Sequence, residues 1–543
     1  MQHNQHIAEL APLLSGFGIG HVVISPGSRN APLTQLFTSD DSFRCTSIVD
    51  ERSAGYVALG MARQLDQPVA VVTTSGTAVL NLAPAVAEAY HQEIPLLVLT
   101  ADRPLEVIPQ FNNQWIDQEA PFYSFTRGSL QLPMLYQEPE DLEQMTGHVE
   151  RLLAEATTGT RGPVHINVPL AEPLYEKLPS PLLGKRGPVS GTHGKQNVPG
   201  EPEQAVPASI SADSKILVLA GMGLPDKKIR TSLERLVQSR QAVVVAENIS
   251  NLAAEDFCLH PELLMAASGE DQRNDLKPDL LLSFGGQMVS KRLKLFLQSI
   301  RDLEKVEVVG DVASYIDALA EQQRPGDNFS NRYLASWKRA EERILGVVRD
   351  KLDALPFSNL SVMHRIISAL PPGTVLHLAN SATIRYSHLA PHRSDLNYFA
   401  NRGTSGIDGS VSTAVGAAMV SRGLHLLVVG DLSFVYDSNA LWNKDFPENL
   451  KIVVLNDGGG GIFRLLDGPD RMAFFEEFSV THHPVSVELL GQAFGRVARR
   501  VSGHDQLEEG LKGLLGPGGS GNLLEVDTTG SENSRIFKDF LNF

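Results

Sequence analysis

Short apolar runs alternate with longer amphipathic stretches from the start of the chain. "HVVIS" (21–25), "VAVVTT" (69–74), "PLLVLT" (95–100) and "VHINV" (164–168) read as strands buried on both faces. "TAVLNLAPAVAEAYHQ" (77–92) reads as one crossover helix between two of them. Residues 176–213 lose this periodicity and are rich in Pro, Gly and Ser, which predicts a linker. The alternation resumes with "KILVLAG" (215–221), "AVVVAEN" (242–248), "DLLLSFGG" (279–286) and "KVEVVGD" (305–311). A charged helical stretch, residues 331–352, leads to a third block: "TVLHLAN" (374–380), "LNYFANRG" (396–403), "HLLVVGD" (425–431), "LKIVVLND" (450–457) and "NLLEVD" (522–527).

Strands separated by helices predict an α/β fold built of parallel sheets covered on both sides. The expected organisation is three such blocks: residues 1–180, a linker 181–213, a central block 214–350 and a last block 351–543. The 543-residue length fits two or three domains.

Composition narrows the function classes. Hydrophobic residues at 42% and charged residues at 20% are ordinary for a soluble globular protein. The net charge of −16 gives no basic footprint for nucleic acid. Two distant cysteines, Cys45 and Cys258, exclude a disulfide framework and are expected to be buried thiols. No stretch is apolar enough to span a bilayer, and the first residues lack a signal-peptide pattern, so a cytoplasmic protein without membrane contact is expected.

The candidate chemistry sits at two strand ends. Asp431 closes one predicted strand and Asp457 the next, 26 residues on (457 − 431), and four glycines follow Asp457. If the strands are neighbours, both carboxylates face the crevice where open α/β sheets bind ligands. Two carboxylates and free glycine carbonyls form a hard-oxygen cation site that leaves room for phosphate oxygens. N–H groups near Gly430 and at the start of the next helix suit the same phosphates. The plainer alternative is a helix-capping aspartate and an ordinary turn.

"GD" at 430–431 followed by "NDG" at 456–458 resembles the cofactor motif of thiamine diphosphate (ThDP)-dependent enzymes. The resemblance implies Mg²⁺ or Mn²⁺ on Asp431, Asp457 and the Gly459 carbonyl, with Gly430, Asp431, Leu432 and Ser433 against the cofactor. These enzymes usually carry asparagine where Asp457 stands, and some relatives have glutamine where Gly461 stands. Glu51 in "SIVDERSAGYVALG" matches the glutamate that hydrogen-bonds the aminopyrimidine ring and moves its proton. Alone, Glu51 is equally a carboxylate favoured by a helix N-terminus.

A wider set, "ISPGSRNAPL", "TTSGTAVLNL", "LTADRP", "NNQWIDQ", "GGQMVSKRL", "NRGTSGIDGSVSTAVG" and "GDLSFVYD", is similar to the 2-succinyl-5-enolpyruvyl-6-hydroxy-3-cyclohexene-1-carboxylate (SEPHCHC) synthases. That family is implied to decarboxylate 2-oxoglutarate and add the resulting carbanion to isochorismate, in menaquinone biosynthesis. Ser28, Arg29 and Gln114 would act beside Glu51, and Arg103, Lys291, Arg292, Ser381 and Arg385 would bind substrate carboxylates. Arginine suits such groups because its planar fork binds them bidentately. Asn380 and Arg402 would contact cofactor or substrate, and Ile407 would support the cofactor's bent shape. Ile462 and Phe463 would exclude water. Arg103 has Asp102 as an alternative partner, Lys291 and Arg292 could be a solvated helix face, and Ile462 and Phe463 could be core. The family also implies a homodimer or homotetramer with active sites at the subunit interface. The rivals are a ThDP enzyme for pyruvate, such as an acetolactate synthase, and a non-catalytic subunit of the same fold.

Overall fold

The structure, a computed structural model, describes residues 4–104, 114–134, 136, 138–183, 210–211, 213–322, 329–466, 468–516 and 521–543. Most of the expected linker and the first two residues of "NNQWIDQ" lie outside the described residues.

Three parallel sheets form the frame. The first contains β1 (His21–Ile24), β2 (Arg44–Ser47), β3 (Val69–Thr73), β4 (Leu96–Asp102), β5 (Gly128–Gln131) and β6 (Val164–Pro169), ordered β2-β1-β3-β4-β6-β5. The second contains β7 (Ile216–Ala220), β8 (Ala242–Ala246), β9 (Leu280–Phe284) and β10 (Glu304–Glu307), ordered β10-β9-β7-β8. The third contains β11 (Val375–Leu378), β12 (Asn397–Phe399), β13 (His425–Gly430), β14 (Leu450–Asn456), β15 (Ala498–Val501) and β16 (Leu523–Asp527), ordered β12-β11-β13-β14-β16-β15. The first and third sheets share one strand order. In both, the order reverses between the sheet's first and third strands, which is where open sheets of this kind bind ligands.

The expected α/β class and central strands are present. The long crossover helix is instead two helices, Thr77–Asn81 and Ala83–His91. Pro84 explains the break, because it lacks an N–H and crowds the preceding turn. Cys258 is buried as expected, but Cys45 is exposed, because β2 is an edge strand with mostly exposed residues.

The described residues fall into two compact units. One holds the residues up to 183 with Gly403–Arg422 and Asp437–Asn449. The other holds residues 210 to 402 with Gly423–Tyr436 and Leu450–Phe543. In the first unit, the helix Glu51–Leu65 is buried from Ser53 to Arg63, between the sheet and the helix Ser410–Met419. The helices meet backbone to backbone. A Cβ on Gly60 would lie 2.0 Å from the Thr413 carbonyl oxygen, and one on Gly416 would lie 2.0 Å from that of Val57.

Each large sheet also buries imidazoles. His165 on β6 faces Thr100, whose hydroxyl donates to Asn167 and so accepts from His165 Nε2 at 2.8 Å. Among the described residues His165 Nδ1 has no hydrogen-bond partner, and burial lowers the pKa to about 3. His425 on β13 stacks on His377, with Nδ1 2.9 Å from His377 Nε2, and burial lowers its pKa to about 4.

Two outcomes follow from these contacts. Gly416→Ala removes about 1 kcal/mol of helix penalty on an open surface, but here it forces the helices apart. A thermal midpoint below wild type, corresponding to about 1–3 kcal/mol, is expected; an unchanged or raised midpoint contradicts the backbone contact. The histidine pKa values are depressed on folding, so the unfolded chain binds the extra protons. Stability is full above about pH 6.5 and falls toward pH 4, by about 1.4 kcal/mol per pH unit for each such imidazole. The thermal midpoint should therefore drop between pH 7 and pH 5, and His165→Gln should shed part of that slope.

Candidate cofactor and active site

At the C-terminal edge of the third sheet, β13 and β14 pair in parallel, with Gly430 opposite Leu455. Asp431 and Asp457 therefore leave neighbouring strands. The connection is a short helix, Asp431–Tyr436, and a 3₁₀ turn, Ser438–Trp442, rather than one helix.

Asp431 does more than cap. Its Oδ1 accepts from Leu432 N–H at 2.7 Å, and its Oδ2 accepts from Gly458 and Gly459 N–H at 2.8 and 2.9 Å. His483 Nε2 lies 3.3 Å from the same Oδ2. Asn456 holds the base of the turn: its amide donates to Glu525 at 2.7 Å and its Oδ1 accepts from Gly458 N–H at 3.1 Å. Gly459 has φ 152°, and a Cβ there would lie 2.5 Å from the Val480 carbonyl oxygen, so only glycine fits. Asp457 Oδ2 accepts from Asn359 at 3.2 Å and leans over Gly461, where an added Cβ would lie 2.2 Å away. A side chain at 461 would displace the Asp457 carboxylate, so the two departures noted in the sequence are spatially linked. Burial pushes Asp457 up to about 7, and the Asp431 charge adds to this. Burial also raises Asp431, against its N–H partners and His483. Two desolvated carboxylates that repel each other above a glycine turn are a donor set suited to a hard divalent cation.

The same unit gathers cations. Asn380 and Ser381 follow β11. Asn380 donates to the Asn401 carbonyl at 2.5 Å and accepts from Arg402 at 3.2 Å. Ser381 has φ 70°, a conformation that favours glycine, and Arg385 bonds back to its carbonyl. Arg292 pairs with Glu262 at 2.6 Å and is anchored rather than freely solvated. Lys291 is exposed at the start of the helix Lys291–Gln298. Glu247, fully buried, accepts from Val289 and Ser290 N–H at 2.5 and 2.6 Å and fixes the approach to that helix. Burial lowers the pKa of Lys294; Glu247 opposes this, while Arg402 and Arg385 add to it. Lys294 thus shares a field with Arg402 and Arg385, the fifth basic group named in this unit, and sequence reasoning passed over it.

At the matching edge of the first sheet, Ser28 and Arg29 follow β1, Glu51 follows β2, and Arg103 follows β4. Arg29 donates to the Leu170 carbonyl at 3.0 Å and pairs with Glu172 at 3.3 Å. Burial lowers its pKa; Glu172 opposes this and Arg103 adds to it, so the two arginines share one field. Asp102 accepts from the Arg103 N–H at 2.7 Å and from Asn167 at 2.7 Å. Gln114 has φ 56° and packs its backbone against Gly76, whose N–H donates to Gln118 at 2.9 Å. Glu51 is half-buried at the first position of its helix, after Asp50, whose side chain accepts from Arg52 and Ser53 N–H.

Ile407 belongs to this first unit. Its loop is pinned where Tyr56 donates to Asp408 at 2.6 Å and Gly409 lies on the Tyr56 ring. Glu88 anchors the loop's start, accepting from Gly403 and Thr404 N–H at 2.7 and 2.6 Å. Ile407 is 42% exposed and Phe463 38% exposed, so neither is core; Ile462 is half-buried. Leu432 is half-buried, and Ser433 is buried.

The sequence reading also missed a brace on the glycine turn. His482 Nδ1 lies 3.1 Å from the Gly458 carbonyl and its Nε2 lies 2.9 Å from Glu476, which Arg464 grips through two contacts of 3.0 and 2.6 Å. The adjacent histidines in "THHP" were the available signal.

Comparison with known proteins agrees with this geometry. Residues 7–121 match the family model "Thiamine pyrophosphate enzyme, N-terminal TPP binding domain", and residues 381–524 match "Thiamine pyrophosphate enzyme, C-terminal TPP binding domain". The fold and these matches define the class: a ThDP-dependent enzyme. A protein of Desulfotalea psychrophila named 2-succinyl-5-enolpyruvyl-6-hydroxy-3-cyclohexene-1-carboxylate synthase is 38% identical over 95% of this chain and 97% of its own length. Proteins of the same name from Cytophaga hutchinsonii and Flavobacterium johnsoniae are 32% and 34% identical, over 99% and 97% of this chain and 98% and 97% of their own lengths. The chain belongs to the SEPHCHC synthase family.

Proposed function

We propose that this protein catalyses the ThDP-dependent synthesis of SEPHCHC from 2-oxoglutarate and isochorismate, with release of CO₂, in menaquinone biosynthesis. The observation that carries this reading is the near-full-length similarity to relatives of that name. Bound ThDP supplies the carbon nucleophile and the electron sink that decarboxylation of a 2-oxo acid needs.

The chain's residues do the rest. Asp431, Asp457 and the Gly459 carbonyl would hold Mg²⁺ or Mn²⁺, and Gly430, Leu432 and Ser433 would contact the cofactor. Glu51 holds and moves the proton at the pyrimidine nitrogen N1′. Both substrates are dicarboxylates, and Arg29, Arg103, Arg292, Arg385 and Lys291, with Ser28, Gln114 and Ser381, bind and orient them. Asn380 and Arg402 contact cofactor or substrate. Ile407 supports the cofactor's bend, and Ile462 and Phe463 keep water from the reacting carbon, which suppresses its simple protonation.

In this reading residues 1–180 are the pyrimidine domain, 181–213 a linker, 214–350 the central domain and 351–543 the diphosphate domain. The assembly is a homodimer or homotetramer in the cytoplasm, with each active site at a subunit interface.

The test follows isochorismate consumption with 2-oxoglutarate, ThDP and Mg²⁺, omitting each in turn and replacing 2-oxoglutarate by pyruvate. Consumption that needs every component, and that pyruvate does not support, is expected. Pyruvate in place of 2-oxoglutarate sustaining the reaction would point to another 2-oxo acid enzyme. In the same assay Glu51→Gln should lose roughly 10²–10⁴-fold in kcat while still binding ThDP; near-normal turnover would remove Glu51 from its role.

A further inference from the structure

Asp437 is fully buried, and no step above uses it. Its Oδ2 accepts from Ser412 N–H at 2.7 Å, and its Oδ1 accepts the Ser412 hydroxyl proton at 2.7 Å. A hydroxyl has one proton to give. Ser412 Oγ therefore accepts from Ser53 Oγ, 2.9 Å away. Ser53 lies in the first turn of the helix Glu51–Leu65, two residues past Glu51.

The same turn is held on its other side. Asp50 accepts from Arg52 N–H at 2.9 Å and Ser53 N–H at 3.3 Å, and its second oxygen accepts from Asn439 at 2.7 Å. Asn439 is two residues past Asp437, so one short segment grips Asp50 directly and Ser53 through Ser412. Glu51 stands between the two gripped residues.

We propose that Asp437 is a positioning residue for Glu51: through Ser412 and Ser53 its carboxylate sets the pose of the helical turn that presents the Glu51 carboxylate. This rests on the role given to Glu51 above. The ionised carboxylate fixes the direction of the hydroxyl chain. A protonated Asp437 donates to Ser412 Oγ, and the chain reverses.

Among the described residues, the charged and titratable groups that act most on Asp437 come from the helix Glu51–Leu65: Arg52 favours the carboxylate, and Tyr56 shares its field. Tyr56 is in turn faced by Asp408 and Glu88. The helix Ser410–Met419 and the turn Ser438–Trp442 carry no ionisable side chain. Burial raises Asp437 to about 7, opposed by its Ser412 bonds and by Arg52. The chain thus reverses as the pH falls through neutrality.

Asparagine at 437 copies the reversed state. Its carbonyl still accepts from Ser412 N–H, while its amide donates to Ser412 Oγ. In holoenzyme with saturating ThDP and metal, Asp437→Asn should lower kcat roughly ten- to a hundredfold with both KM values within twofold of wild type. Wild-type kcat should fall on acidification below about pH 7 in a step that Asp437→Asn lacks. Ser53→Ala cuts the chain at its far end without altering the buried acid, and should show the same loss and the same missing step. In cofactor-free protein, amide exchange at residues 50–53 should quicken in both variants.

Wild-type kcat and an intact acid step in Ser53→Ala, with Glu51→Gln inactive, overturn the proposal even if Asp437→Asn does not fold. An active Glu51→Gln overturns it by a different route, through the role of Glu51 itself.

Discussion

One interaction organises the glycine turn at the C-terminal edge of the third sheet: the Asp431 carboxylate reaching from β13 to the N–H groups of Gly458 and Gly459 beyond β14. Bonds from N–H groups to a buried charge contribute about 1.5–3 kcal/mol each. They commit the glycine turn to one shape, with Gly459 where no side chain fits and Asp457 leaning over Gly461. The cost is two carboxylates close together in a desolvated place, seen in the raised pKa of Asp457. A cation is the natural remedy for that repulsion. Braces from His482 and His483 close around the same turn.

A second constraint is charge. The chain carries a net −16, yet Arg385, Arg402 and Lys294 share one field in the second unit. One buried and one half-buried acid make this tolerable. Glu247 fixes the approach to the helix Lys291–Gln298, and Glu262 pairs with Arg292 and faces Arg385. Each acid removes part of the repulsion, and the proposed substrates, with several carboxylates, suit the cations that remain. This cluster of cations is a local inversion of the protein's overall sign, and bulk composition cannot reveal it.

The legible parts of the fold were those with a strong periodic signal. Central strands such as Val69–Thr73 and Leu96–Asp102 are buried throughout and stand out as continuous apolar runs. The missed strands, β2 ("RCTS"), β5 ("GSLQ") and β15 ("ARRV"), are all sheet edges, where one side needs no partner and polar residues are tolerated. At the site, Asp431 and Asp457 were legible because they follow strands that can be recognised, and Glu51 because its own motif is local, although β2 before it was missed. Lys294, His482, His483 and Asp437 were not, because their meaning comes from contacts between segments distant in sequence. Ser412 and Ser53, 359 residues apart, share a hydrogen bond that no local pattern announces.

In the function proposed above, Asp431 builds the seat for the metal-bound diphosphate. The most direct test is calorimetric titration of the metal-free protein with ThDP, with and without Mg²⁺, for wild type, Asp431→Ala and Asp457→Asn. The account predicts Mg²⁺-dependent binding to wild type, retained in Asp457→Asn, which keeps an oxygen ligand, and lost in Asp431→Ala. Equal Mg²⁺-dependent affinity in Asp431→Ala and wild type would contradict it.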